Sequence, residues 1–242
     1  FLIMDIRSYN QPILMFSGGK DALLCLLKLK EYLDVINVVW VNTGKNIPEV
    51  EAYIKSFQKM CPNWIELKAD REGVWYTYGL PADILHPHYT LSGHKYTRNN
   101  EMYQSPLECC VRTLMPPVIE LIAKLGSNLL IRGNKLSDTL LDKSRSGDVV
   151  DGVTIYNPIE SLNDYQVLEC LKAFDIELPA WYSLNHSSID CADCTGYIAE
   201  SGTRLEILKH NYHEEYDQLI QRLKVIVGIV EEPLNSIKEV LK

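Results

Sequence analysis

The chain contains no run of eighteen consecutive apolar residues, so no segment reads as a membrane-spanning helix. Phe1 to Arg7 are too few and wrongly flanked for a secretory signal, and the expected setting is the cytoplasm. An excess of positive charge is missing too: 24 Lys and Arg stand against 32 Asp and Glu, a formal net charge of -8. Sequence-independent binding to nucleic acid draws mainly on Lys and Arg neutralising phosphates, and this balance opposes it. A nucleic-acid substrate would need a local basic patch or a partner protein to deliver it. There is no internal repeat, low-complexity tract or obvious linker, and no cysteine follows Cys194.

What is present suffices for a core: 46% of the 242 residues are hydrophobic and 23% charged, which fits one large α/β domain or a domain with an appended lobe. Ile13 to Phe16 is an apolar run that ends in Ser17-Gly18-Gly19-Lys20-Asp21, and Asp21 to Leu33 continues as a leucine-rich helix. Asn37 to Val41 repeats the strand signal, Pro48 to Met60 has helical spacing with proline at its start, and Trp64 to Leu67 is a third strand. Such alternation predicts a parallel sheet whose ligands gather at the carboxyl ends of the strands. Ser17 to Asp21 and Asn42-Thr43-Gly44 lie at such ends. Residues 70–105 have weak periodicity and read as a long loop or small inserted lobe. Pro106 to Leu125 is helical in spacing, with Pro116-Pro117 expected to kink or split it. Leu129 to Arg132 reads as a strand, Asp151-Gly152 as a hairpin turn, and Asn163 as the cap of a helix over Asp164 to Phe174. Two amphipathic stretches follow, Thr203 to Ile229 and Pro233 to Leu241. The expected division is a nucleotide-binding domain over 1–200 and a helical extension over 201–242.

Two constellations carry chemistry. In Ser17-Gly18-Gly19-Lys20-Asp21, two glycines let the backbone approach phosphate oxygens, main-chain amides converge on the anion, and the next helix presents its positive end. An ordinary tight turn would explain the Gly-Gly alone, but not its place between strand and helix; the spacing is not that of a Walker loop. The second constellation pairs Cys109-Cys110 with Cys191-x-x-Cys194. Four thiolates suit an iron-sulfur cluster, with zinc as the main rival and inert or disulfide-forming thiols as the bland alternative. Neighbouring helical residues point about 100° apart, which is awkward around one small ion and easier around a cluster with separate irons. Seven cysteines so spaced fit an intracellular metalloprotein better than a secreted scaffold. Cys25 and Cys170 read as core residues, and Cys61 has no assigned role. Lys135, Lys143 and Arg145, with Arg98 and Arg112, form either a solvated face or a patch for phosphate groups. His210 and His213 share a helical face among charged residues, and His86 and His88 flank Pro87 as structural or substrate-contacting groups.

Ser17 to Asp21 resembles the PP-loop of the adenine-nucleotide α-hydrolase superfamily. Asn42-Thr43-Gly44 with Pro48-Glu49 is similar to the Asp-Thr-Gly...Pro-Glu-Thr segment of the sulfonucleotide reductases, with Asn42 in place of Asp and Val50 in place of Thr. Cys109-Cys110 with Ser188 to Thr195 is similar to the cluster signature of the APS reductases. The resemblance runs from about Ile13 to Thr195 and implies a PAPS-reductase-like α/β fold with a helical C-terminal region. It implies that Ser17, Gly18, Gly19, Lys20 and Asp21 cradle phosphates, with Asn42, Thr43, Gly44 and Gly133 also at the nucleotide and Lys20 and Asp21 catalytic. Cys109, Cys110, Cys191 and Cys194 would hold a 4Fe-4S cluster. The reductases' nucleophile sits in a C-terminal Glu-Cys-Gly-Ile/Leu-His tail that has no counterpart here, and their Gly-x-Arg-Arg sulfate signature is represented only by Arg132-Gly133-Asn134-Lys135. The leading expectation is an ATP pyrophosphatase that adenylylates an acceptor for sulfur insertion, with magnesium assisting and a cysteine desulfurase or other sulfur donor as partner. Its closest analogy is the PAPS-reductase-like ATP pyrophosphatases of DNA phosphorothioation. The alternatives are an APS or PAPS reductase whose thiol tail is absent from this chain, and a non-catalytic nucleotide-binding or redox-sensing protein.

Overall fold

A computed structural model describes residues 4–83, 103–138, 144–182, 191–198 and 202–242 of the chain. Its strands are β1 (Ile13–Met15), β2 (Asn37–Asn42), β3 (Trp64–Lys68), β4 (Leu80–Pro81), β5 (Tyr103–Gln104), β6 (Leu129–Ile131), β7 (Val149–Val150) and β8 (Val153–Tyr156). Its helices are α1 (Lys20–Lys28), α2 (Pro48–Ser56), α3 (Arg71–Tyr78), α4 (Pro106–Leu125), α5 (Asp164–Ala173), α6 (Gly202–Asn211) and α7 (His213–Val240). The chain divides into two compact units, Phe1–Ala69 with Pro116–Asp190 and Asp70–Met115 with Cys191–Lys242. None of the helices among the described residues is long and apolar enough to cross a membrane.

The first unit is an α/β fold around a sheet of order β3-β2-β1-β6-β8-β7, parallel except for the β7-β8 hairpin. Strand alternation assigns the faces: Ile13, Met15, Val39, Val41, Ile65 and Leu67 share one, where Val118, Leu121, Ile122 and Leu125 of α4 cover them at helical spacing. Leu14, Val38 and Trp40 alternate onto the other face and are buried as well. A sheet buried on both sides explains why its strands read as continuous apolar runs. Each such side chain contributes roughly 1.5–3 kcal/mol on leaving water. The β7-β8 turn uses Asp151 and Gly152, both with positive φ (50° and 81°), as a right-twisted hairpin requires.

The second unit packs Leu223, Ile226 and Ile229 of α7 against Leu80, Ala82 and Tyr103 around the parallel β4-β5 pair. Three expectations change here. Within the stretch read as a loop or inserted lobe, residues 71–78 form a helix, because Asp70 caps it through Gly73 N–H and the four-residue spacing of Arg71 and Trp75 buries one side. Pro116-Pro117 do not split α4; the helix runs through, and the boundary between units falls at Met115/Pro116. Pro233 likewise lies inside α7, while the break comes at Tyr212, whose φ of -138° and ψ of 69° leave the helical region. His210 and His213 therefore end one helix and begin the next rather than sharing a face. His86, His88, Arg98 and Lys143 lie outside the described residues.

Candidate functional site

The strand order reverses between β1 and β6, where a doubly wound sheet opens a crevice at the carboxyl ends of its strands. Ser17, Gly18 and Gly19 follow β1 there. Gly18 has φ of 78°, and a Cβ on it would stand 2.4 Å from Cγ1 of Ile54, so only glycine fits. Gly19 is the N-cap of α1 and offers no side chain to its first turn. Its own N–H donates to Ser17 Oγ (3.3 Å), and Lys20 N–H donates to the Tyr182 hydroxyl oxygen (3.0 Å).

Gly133, after β6, comes so close to α1 that a Cβ would lie 3.0 Å from both Ala22 N and the Asp21 carbonyl carbon. This approach brings Lys135 to the same place. Lys135 is buried, not part of a solvated loop face, and its Nζ meets Asp21 Oδ1 (3.0 Å), Asp138 Oδ1 (3.1 Å) and Asp164 Oδ1 (3.4 Å). Lys20 Nζ meets Asp21 Oδ2 (2.9 Å) and Asp164 Oδ1 (2.7 Å). Asp21 thus spaces two ammonium groups, one on each carboxylate oxygen. Lys20 holds the Asp164 carboxyl below the usual carboxylate range, with Lys135 adding to it. Burial works against the Lys135 charge, but Asp21 and Asp138 outweigh it and keep the ammonium above the ordinary lysine value. Its contribution to stability is therefore complete below the unfolded lysine pKa of about 10.4 and lost as pH rises through the raised folded value. In chemical denaturation, the stability gap between the wild type and Lys135→Met should shrink as the pH climbs past that point.

After β2, Asn42 Oδ1 accepts the Gly44 N–H (2.8 Å) while its Nδ2 donates to Glu66 Oε1 (2.8 Å). An aspartate here would set two carboxylates face to face, which accounts for the amide in this chain. Thr43 Oγ1 is buried with no hydrogen-bond partner among the described residues. Asp164, Asp138 and Tyr182 escaped the sequence reading. Asp164 reads only as the first residue of a capped helix, and nothing near Tyr182 signals a contact 162 residues away.

All four candidate cluster cysteines lie in the second unit. Ser105 and Glu108 form reciprocal bonds that start α4, with Pro106 between them, and so place Cys109 and Cys110 near its N-terminus. Gly196 packs on Pro106, where a Cβ would lie 2.6 Å from the ring, and Thr195 Oγ1 donates to Pro81 O. These contacts seat the Cys191–Cys194 turn beside α4. Trp75 Nε1–H donates to Cys109 Sγ (3.2 Å) and Gly196 N–H to Cys194 Sγ (3.3 Å). Asp193, inside the turn, pairs with Arg71 and with Arg222 (2.7 Å), and both guanidiniums lie over the Trp75 ring. Arg204 donates to the carbonyls of Cys194 (3.0 Å) and Gly196 (2.9 Å).

Burial pushes the Cys194 thiol up, against the pull of the Gly196 N–H and Arg204 and with a further push from Cys109. Metal binding there must displace a proton. The seven cysteines form no disulfide, and among the described residues no three His, Cys, Asp or Glu side chains are gathered at metal-ligand spacing. As a donor set the region nevertheless fits an anionic cluster: four thiols in one unit, N–H donors to two sulfurs, and three arginines around the turn. Cys25, at the core of α1, directs its Sγ to Arg132 O, and Cys61 is buried against Phe57 O.

A search of curated proteins finds no significant match. Among solved structures, the crystal structure of phosphoadenylyl-sulfate (PAPS) reductase from Candida auris in a phosphate complex is similar at 14% identity and TM-score 0.49, covering 74% of this chain and 80% of that one. The phosphoadenosine phosphosulfate reductase domain family matches residues 11–197, well over half of the 242 residues, and the chain belongs to that family.

Proposed function

We propose that this protein is an ATP pyrophosphatase of the PAPS-reductase type, which adenylylates an acceptor for sulfur insertion. The observation that carries the reading is the convergence of Gly18, Gly19, Lys20, Gly133 and Lys135 where the strand order reverses. Adenine nucleotide would lie along Ser17 to Asp21, with Asn42, Thr43, Gly44 and Gly133 lining its approach. An acceptor oxygen attacks the α-phosphorus, the bond to the β-phosphate oxygen breaks, and pyrophosphate leaves with the electron pair. Lys20 and Lys135 stabilise the charge that develops on it, and Asp21 fixes the spacing of the two ammoniums. Magnesium would supply further charge neutralisation at the leaving group. The outer sulfur of a persulfide on a cysteine desulfurase or another donor then attacks the activated acceptor, AMP leaves, and a thiol reductant cleaves the S–S bond that still joins the sulfur to the donor.

Cys109, Cys110, Cys191 and Cys194 would hold a 4Fe-4S cluster, which would supply a structural tie or, if one thiolate gave way, an iron for sulfur. Trp75 and Gly196 would orient its thiolates through their N–H groups. By analogy the acceptor is DNA or a related nucleic acid, delivered by a partner because the chain carries a net charge of -8.

The family also supports a second reading, reduction of APS or PAPS. That chemistry needs a thiolate. Burial pushes the Cys25 thiol up and the Cys61 thiol to about 11, so neither serves near neutral pH; with four cysteines assigned to the cluster, the nucleophile would be Cys170 or a thiol supplied from outside this chain.

Incubation with ATP, a desulfurase and cysteine carrying labelled sulfur, with duplex DNA, tRNA or no acceptor, tests the proposal. ATP-dependent label in DNA supports it, and label in tRNA alone moves the acceptor. Label in neither, with sulfite formed from APS or PAPS, favours the reductase.

A further inference from the structure

We infer that Asp164 is an internal counterion that holds the phosphate position between Lys20 and Lys135 and is displaced when a phosphate group binds; the inference rests on the nucleotide reading of this site. One oxygen, Oδ1, meets both ammonium groups, at 2.7 and 3.4 Å, as a phosphate oxygen would. The three carboxylates around the two lysines are not equivalent. Asp21 lies in the first turn of α1 under Gly133, and Asp138 accepts the Lys135 backbone N–H at 2.9 Å, which ties it to its own loop. The Asp164 side chain is 63% exposed, against 26% for Asp21 and 46% for Asp138. It can swing into solvent with the least disturbance.

Charge balance gives the swing its purpose. With all three carboxylates in place, Asp21, Asp138 and Asp164 outnumber Lys20 and Lys135 by one, and an incoming anion meets a net negative cluster. With Asp164 turned out, the remaining two pairs balance. The displaced carboxylate stays at the first position of α5, whose cap is Asn163, where the helix N-terminus still favours negative charge. Lys20 keeps Asp164 acidic, so the competitor is charged at neutral pH.

The test is calorimetric titration of the whole protein with inorganic pyrophosphate, and in parallel with ATP. Asp164→Asn should bind pyrophosphate about three- to fivefold more tightly than the wild type, the effect of removing a partly exposed ion-pair competitor. Asp164→Glu should bind like the wild type, and the gap should narrow at high salt. Asp164→Ser, which also suits a helix start, replaces the Asn variant if that one unfolds. Equal or weaker pyrophosphate binding by the neutral variant, with an unchanged melting temperature, overturns the inference alone. A wild type that binds neither pyrophosphate nor ATP overturns the nucleotide reading and this inference with it.

Discussion

Asp193→Asn is expected to lower stability by about 3–5 kcal/mol, the cost of breaking a buried ion pair by removing one partner. For a chain of this size that is a drop of about 6–20 °C in melting temperature. Asp193 and Arg71 are each 2% exposed at the side chain, and Arg222 shares the same carboxylate. Burial opposes the charge of Asp193, but Arg71 and Arg222 outweigh it and hold the carboxyl below its usual range. An asparagine would leave Arg222 without this carboxylate and Arg71 with the exposed Glu72 alone, and the turn between Cys191 and Cys194 would lose its charged anchor to α3 and α7. The double variant Arg71→Met with Asp193→Leu should be milder than the sum of the singles, because it removes both charges together. A single variant that melts within about 2 °C of the wild type, against that expected shift, would show that the pair contributes little.

Lys20→Ala is expected to reduce pyrophosphate release from ATP by at least about 100-fold, as deletion of one group aimed at developing charge commonly does. Lys20 is buried at the first position of α1 and bridges Asp21 and Asp164. Its loss leaves Lys135 alone against three carboxylates, so the site turns more negative as well as losing a donor. The protein should still fold, because the sheet and the α4 face contain neither residue. Circular dichroism and melting recorded beside the kinetics separate the effects. Wild-type turnover in this variant would remove the phosphate-loop argument.

The first three strands and the loop after β1 were legible because their signals are local: apolar runs, a Gly-Gly at a strand end, and Pro48 at a helix start. The same locality limits the reading elsewhere. A unit assembled from residues 70–115 and 191–242 brings together stretches that no periodicity connects. The helix break at Tyr212 falls within His210-Asn211-Tyr212-His213, which contains neither Gly nor Pro, whereas Pro233 stays inside its helix. At the candidate site, lone charges took their meaning from partners distant in sequence. Lys135 looked like one basic residue of a loop until Asp21 and Asp164 closed on it, and Arg71 gave no signal until Asp193 stood against it. Asn42 in place of Asp could be noticed in the sequence, but its cause, Glu66 on the neighbouring strand, could not.

The most direct measurement takes anaerobically purified protein and follows pyrophosphate release from ATP, with sulfite from APS and PAPS assayed in parallel and iron and sulfide determined on the same sample. The account predicts pyrophosphate release without sulfite, from protein carrying iron and sulfide in equal amounts. Sulfite from either sulfonucleotide, with no pyrophosphate from ATP, would contradict it and make the protein a reductase.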